Sequence, residues 1–301
     1  MIKQQGVALI QVLLITAILS VLALYLTTTA KDQVMISLWT NDKADALTAM
    51  HSAESNLLFT LLTELKTSDN TINSENNTTA STDVILSNWN FFNKPFYVNK
   101  KVSIAIQDQS ALINLHFPDR DMLTALTISQ GYDINQANVI VDSLLDWQDL
   151  DSIPRINGVE TNQTNMSVVR NGALPSVYDL HFIDAIPLEL QQILINNSTI
   201  YRKGSFNPTN SPAELLFALL NTETAQQVIE LREAKQLTKR KFTQLTGIKE
   251  NDETFFYPSN YVSITLISKM GISVVKKIIV IHINAYAKAD KRPINILSTR
   301  S

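Results

Sequence analysis

The chain has 301 residues, no Cys and a formal net charge of −3. The lack of Cys excludes disulfides, thiolate nucleophiles and Cys-ligated zinc, and a near-neutral balance supplies no whole-protein field toward nucleic acid. Seven glycines, none in a G-x-x-x-x-G-K-S/T arrangement, exclude a phosphate-cradling loop of that kind. The length has room for two or three compact units. The first element is Val7 to Leu26, VALIQVLLITAILSVLALYL, a run with no charge. As a helix rising ~1.5 Å per residue it spans roughly 30 Å, the thickness of bilayer hydrocarbon. Its polar members are Gln11, Thr16 and Ser20; Thr and Ser hydroxyls bond back to carbonyls one turn earlier. The leader Met1 to Gly6 carries Lys3, which by the positive-inside rule keeps the N-terminus cytoplasmic and sends the body outward. Leu24, Leu26 and Thr27 to Thr29 stand where a secretory signal would have small cleavage-site residues.

A short basic leader ending in Gly, an unbroken apolar run and a helix continuing past it resemble the N-terminus of a type IV prepilin or pseudopilin. The resemblance implies that a prepilin peptidase cuts after Gly6 and that Val7, the mature terminus, is N-methylated. Most members carry Glu five residues into the mature chain, where this sequence has Gln11. That carboxylate neutralises the terminal amine of a neighbouring subunit inside the membrane, where an unpaired charge is costly. A subunit with nobody above it has no need of one. The K-type minor pseudopilin of the type II secretion system lacks the Glu and sits at the tip. Rival readings of the run are the signal anchor of a bitopic protein and an uncleaved secretory signal. A soluble core helix of this length would show a polar face.

Past the membrane run, Lys31 to Leu65 lacks breakers, and Leu47, Met50, Ala53, Leu57, Leu58, Leu61, Leu62 and Leu65 recur at helical spacing. This predicts a rod with one apolar face. Thr67 to Thr82, TSDNTINSENNTTAST, reads as a polar linker. Val98 to Gln107 alternates through Val102, Ile104 and Ile106 and predicts a strand, with Lys100 and Lys101 marking its start or an edge. Asp108 to Leu115, DQSALINL, partly resembles a D-x-x-G-R-F-N-L-N segment of the K-type family, with Ala111 and Leu112 replacing Gly-Arg. From Pro118 to Gly247 the period becomes helical. Gln136 to Trp147 places Ala137, Ile140, Val141, Leu144 and Leu145 on one face. Ser211-Pro212-Ala213-Glu214 predicts a capping box opening a helix through Leu220. Thr222 to Glu233 and Lys239 to Leu245 predict two more.

At the end of the first of these helices stand Asp142, Asp146, Asp149 and Asp151, then Pro154-Arg155, Asn157-Gly158 and Glu160. Close carboxylates repel unless screened, paired or metal-bound. Hard oxygen ligands on an irregular loop suit Ca²⁺, although the spacing is not that of an EF-hand. The opposing reading is an acidic loop with Arg155 pairing one Asp. LLDWQDLDSIPRINGVE resembles the L-L-D-W-x-D-x-D-x-x-P-R-x-x-G-x-E signature of K-type pseudopilins. That family binds calcium in its helical domain, partly here, so the resemblance implies at least one ion with Asp149, Asp151 and Glu160 as ligands. The family continues with Asp and two Tyr, where this chain has Thr161 to Thr164.

Ser205 to Pro212, SFNPTNSP, resembles the I-N-V-N-T-A-S that opens a helix-hairpin-helix-like unit in this family and in DNA-uptake proteins. Such modules hold duplex phosphates with main-chain amides of a Gly-rich hairpin. The hairpin here, Leu220-Asn221-Thr222-Glu223, has no Gly and adds an acid, so nucleic acid is not expected. Near the C-terminus Tyr261 to Ile267 alternates, Lys269-Met270-Gly271 predicts a turn, and Ile272 to Ile283 predicts a β-branched strand interrupted by Lys276 and Lys277. The four His fall in separate segments, and neither H-E-x-x-H nor G-x-S-x-G occurs, so neither an enzyme nor a small-molecule substrate is expected.

The predicted fold is α+β: a long N-terminal transmembrane helix, a pilin-like antiparallel sheet and a large, mostly helical domain inserted between its strands. The expected units are a leader at 1–6, the transmembrane helix at 7–29, its extramembrane continuation at 30–66 and a linker at 67–83. The sheet's first part follows at 84–117, the helical domain at 118–255, the C-terminal strands at 256–285 and a tail at 286–301. The resemblance implies a minor pseudopilin at the tip of the type II secretion pseudopilus, helping to initiate assembly and export of folded proteins across the outer membrane. Its partners are I-type and J-type minor pseudopilins, prepilin peptidase and the bacterial inner membrane, which it crosses once, with the body periplasmic. The alternatives are a minor pilin of a type IV pilus and a bitopic helix-hairpin-helix DNA-binding protein.

Overall fold

The computed structural model describes residues 5–66, 84–158, 169–202 and 204–301, with side chains from residue 8 onward. Leader residues 1–4 and the predicted linker at 67–83 lie outside that set. In chain order the elements are helix α1 (Gln5–Thr63), the short helix α2 (Val84–Asn88), and strands β1 (Phe96–Tyr97), β2 (Val102–Asp108) and β3 (Ile113–Asn114). Helices α3 (Arg120–Ser129), α4 (Ile134–Asp146) and α5 (Leu188–Asn197) follow, then strand β4 (Ser198–Thr199) and helices α6 (Ala213–Leu219), α7 (Thr222–Glu233) and α8 (Lys239–Thr246). Strands β5 (Tyr261–Met270), β6 (Ser273–Ile283) and β7 (Ile294–Arg300) close the chain.

The main sheet has strand order β1-β2-β5-β6-β7, antiparallel throughout. The helices from α3 to α8 lie between β2 and β5, which are hydrogen-bonded neighbours. The chain therefore leaves the sheet, builds a helical block and returns beside the strand it left. This is the α+β arrangement with an insertion that the change of period predicts.

α1 packs on the sheet through its upper half alone. Ala46, Met50, Ala53, Leu57 and Leu61 are buried, at the spacing that puts them on one helical face. Met50, Ala53, Leu57 and Leu61 share a core with alternate residues of the strands: Val102, Ile104 and Ile106, Val262, Ile264 and Leu266, and Ile279, Ile281 and Ile283. Leu47, Leu58 and Leu62 flank this core, whereas Leu65 is exposed. Trp89 and Phe91 enter the same core from the segment after α2. Lys277 interrupts β6 on the face turned toward the rod, because its register partner is the buried Leu266. Its ammonium donates to both carboxylate oxygens of Glu54 on α1, at 2.8 and 2.7 Å.

A second junction joins sheet and helical block at Asp108, the last residue of β2, which is fully buried. Its carboxylate accepts from the backbone N and hydroxyl of Ser110 and from those of Ser259. The side-chain amides of Asn207 and Asn210 donate to it as well. The S-F-N-P-T-N-S-P loop thus serves as a clamp between the end of β2 and the start of β5. Beside it, Lys66 donates to the Ser259 carbonyl at 3.0 Å and to the Asn260 side chain. Burial pulls its ammonium down to about 8, against an upward pull from Asp108. Below pH 8 folded and unfolded chains are both protonated there and burial carries its full cost. Between pH 8 and 10.5 the unfolded chain binds more protons, so this contribution to stability rises with pH. The stability gap between wild type and Lys66→Met should accordingly shift in favour of wild type across that window. A flat gap in denaturant titrations would contradict the burial argument.

Several elements differ from the local pattern. The first long strand starts at Val102, because residues 98–101 form the turn from β1: Val98 N donates to the Val102 carbonyl, and Asn99 Oδ1 accepts from Lys101 N and Val102 N. The expected 211–214 capping box does not form. Pro212 occupies the N-cap position of α6 with no side-chain cap, and the Ser211 hydroxyl donates to the Ala111 carbonyl instead. The turn between β5 and β6 is Gly271-Ile272, where Gly271 has φ +50° and an added Cβ would collide with the Asp42 carboxylate of α1. The expected tail at 286–301 contains β7, paired along β6.

Candidate functional site

Two regions carry the residues that the sequence singles out. The first is the N-terminal end of α1. Gly6 and Val7 stand in its first turn and Gln11 on its second, exposed. From Leu9 to Trp39 every large apolar side chain of the helix is at least half exposed or close to it, ending with Trp39 at 49%. The helix is long and apolar enough to cross a bilayer. Thr16, Ser20, Thr27 and Thr28 turn their hydroxyls back onto carbonyls three or four residues earlier, so these polar groups are satisfied without water. What remains outward is an unpartnered apolar cylinder that only lipid or another apolar surface can cover.

The second region is the acidic end of α4. Asp133 opens this helix with a capping box to Gln136. Asp142 and Asp146, one turn apart, lie on its buried side. Arg120 of α3 pairs with Asp142, and Asn157 donates to the same carboxylate from its side chain at 2.9 Å. Arg155 reaches back to pair with both Asp146 and Asp149, while its backbone N donates to Asp146 at 3.1 Å. Burial pushes the Asp142 carboxyl up, but the hydrogen bonds from Arg120 and Asn157 outweigh it and hold the group below the usual carboxylate range. The Asp149 and Asp146 carboxylates, against burial, raise Arg155 above its ordinary value. Arg155 and Asn157 thus fold the loop at 149–158 over the end of α4, while Arg120 ties α3 to the same helix.

Gly158 completes that packing. A Cβ there would coincide with the Asp146 carboxylate. Gly158→Ala should force the Asp146–Arg155 pair apart and cost about 1–3 kcal/mol, as overpacking does. A shift in denaturation midpoint checks this; an unchanged midpoint would mean the loop yields freely.

The residues expected to hold calcium are only partly assembled. Asp149 has one oxygen on Arg155 and the other, Oδ1, buried with no hydrogen-bond partner among the described residues. Asp151 is exposed, and its Oδ1 accepts from Ile153 N at 2.9 Å. Glu160 lies outside the described residues. Among the described residues no group of three or more His, Asp or Glu side chains is placed to hold a metal. The orphaned Asp149 Oδ1 fits a cation's needs, whereas the Arg155 charge beside it opposes one. Arg120 and the second contact of Arg155 have no local signature; only the i,i+4 spacing of Asp142 and Asp146 hints that both face one partner.

The α6–α7 hairpin is poorly built for phosphates. Asn221 caps α7 by accepting from Thr224 N at 2.8 Å, and Glu223 stands in the first turn. An amide and the positive end of the helix are thereby already engaged.

No protein-family model and no curated protein matches the chain. Among solved structures, it is similar to a chain in the crystal structure of the GspK-GspI-GspJ complex from the type 2 secretion system of enterotoxigenic Escherichia coli. The likeness covers 87% of this chain and 97% of that one, with a TM-score of 0.54 and 17% sequence identity. The two chains share a fold. Because the match takes in most of the described chain, it extends to the pairing of an antiparallel sheet with an inserted helical block, and not to the sheet alone.

Proposed function

We propose that the chain is a K-type minor pseudopilin at the tip of a type II secretion pseudopilus. The observation that carries this reading is the fold shared with a chain of the GspK-GspI-GspJ complex over 87% of its length. The leader ending at Gly6, the bare apolar cylinder of α1 and the Gln at position 11 support it. The work of such a subunit is mechanical. Prepilin peptidase cuts after Gly6, Val7 becomes the methylated terminus, and α1 is held in the inner membrane with the body in the periplasm. Assembly draws α1 out of lipid against the apolar helices of neighbours, so the same side chains are covered before and after and the transfer costs little. At the tip no subunit sits above, and Gln11 has no amine to neutralise. I-type and J-type minor pseudopilins are the neighbours, and the complex starts the fibre that helps move folded proteins through the outer membrane. Co-purification of the full chain in detergent with the I- and J-type proteins of its host tests the assignment; a chain that ignores both sinks it.

Calcium belongs to this proposal, held by Asp149 Oδ1, Asp151 and Glu160, where it would screen the carboxylates that Arg155 leaves uncompensated. Calorimetric titration should show uptake at millimolar Ca²⁺ that is lost in Asp149→Asn. Absence of heat at that concentration removes the metal from the account and leaves the arginines as the counter-charges among the described residues.

A further inference from the structure

A cavity of about 340 Å³ opens where the sheet body meets the corner between α7 and α8. Its volume falls within the range of about 300–1,000 Å³ typical of small-molecule sites. Trp89, Phe92 and Phe96 line it together with Phe256, Tyr257 and Pro258. Four cations line it, Lys94, Arg232, Lys235 and Lys239, against the single carboxylate of Glu233. This excess stands out in a chain whose net charge is −3.

Two of the cations are matched by carboxylates, and the exposed Lys235 donates to the Ser87 carbonyl. Lys94 lies 3.4 Å from Glu233, and Lys239 lies 2.9 Å from Glu250 with its ammonium over the Tyr257 ring. Arg232 is not. It is 8% exposed, and among the described residues it pairs with no carboxylate. Its guanidinium lies 4.2 Å from the Phe92 ring centroid, and Nη1 donates to the carbonyls of Thr209 and Ser211 at 3.3 and 2.6 Å. Among the described residues its Nε is buried without a partner, and so is the indole Nε1 of Trp89, another residue of the lining. Burial pulls Arg232 down to about 10, with Glu233 opposing. A buried guanidinium with one of its own N–H groups unsatisfied and no counter-ion among the described residues is electrostatically incomplete. A carboxylate completes it, because the guanidinium fork matches that group's geometry. The aromatic walls select a flat apolar body to carry the charge.

We propose that this cavity binds a carboxylate borne on an aromatic residue or ring, supplied either as a free acid or as the C-terminal residue of a peptide. An occupant touches the segment before β2 on one side and the α7–α8 corner on the other, so it ties the sheet to the helical block. The proposal is independent of the secretion assignment.

The test is calorimetric titration of the full chain in detergent with N-acetyl-phenylalanine, its C-terminal amide, and tetraglycyl-phenylalanine with a free terminus. Saturable binding of N-acetyl-phenylalanine, with the amide bound at least about tenfold more weakly, is the expected result. Tighter binding of the peptide assigns the site to chain ends, and weaker binding assigns it to free acids; either supports the shared chemistry. Arg232→Gln should weaken binding about tenfold or more. If that variant fails to fold, Lys94→Glu, at the half-exposed rim, should still weaken it several-fold by charge reversal. No saturable heat from either acid up to about 1 mM, equal affinity for acid and amide, or wild-type affinity in the folded variants would overturn the proposal.

Discussion

Asp108→Ala should bring the chain close to global unfolding, with a loss of more than about 4 kcal/mol. The carboxylate is fully buried and is the common acceptor for Ser110, Ser259, Asn207 and Asn210. Truncation strands those donors in a site closed to water, and each buried orphan costs about 1–3 kcal/mol. Native stabilities are only about 5–15 kcal/mol. The donors come from the end of β2, the clamp loop and the start of β5, so their loss frees the helical block from the sheet at both crossing points. Asp108→Asn should recover little, because an amide brings its own donors to a site already filled with them. Urea titration of the full chain in detergent, followed by circular dichroism, measures the effect. A loss under about 1 kcal/mol would mean the clamp is held by something else.

The second large effect is expected at Lys277. Side-chain exposures of 18% for Lys277 and 10% for Glu54 place the pair largely out of water, with His51 3.5 Å from the same carboxylate. Lys277→Met leaves Glu54 charged against the rod–sheet core and should cost about 3–5 kcal/mol. Glu54→Leu combined with Lys277→Met should restore most of that loss, since removing both charges also removes their desolvation. The pair then acts as a register device: it fixes which turn of α1 meets β6 and contributes little net stability. A double variant as unstable as the single one would refute that role.

These two sites mark the limit of what local pattern carries. The rod, its apolar stripe and the return to period two at Tyr261 follow from side-chain spacing, and they are where reading and structure coincide. Lys277 reads locally only as an interruption of a strand. Its meaning comes from Glu54, more than two hundred positions away. Asp108 likewise reads only as the start of the segment after a strand, and all its partners but Ser110 come from two distant loops. β7 has no local signature because none of its residues is buried. An edge strand held by backbone bonds to β6 need not alternate. The Ser211 cap fails because Pro212 holds the N-cap position, which leaves Ser211 outside it with its hydroxyl donating to the distant Ala111 carbonyl. At the acidic site the carboxylates are legible as a cluster. Their neutralisation by Arg120 is not, because that residue sits on a different helix.

The central claim is that α1 is an assembly handle trimmed at its leader. Intact-mass and N-terminal peptide mass spectrometry of the chain purified from its own host's membranes tests it most directly. The account predicts a polypeptide beginning at Val7 and carrying one added methyl group. A chain that still begins at Met1, or one severed beyond Leu26, contradicts it.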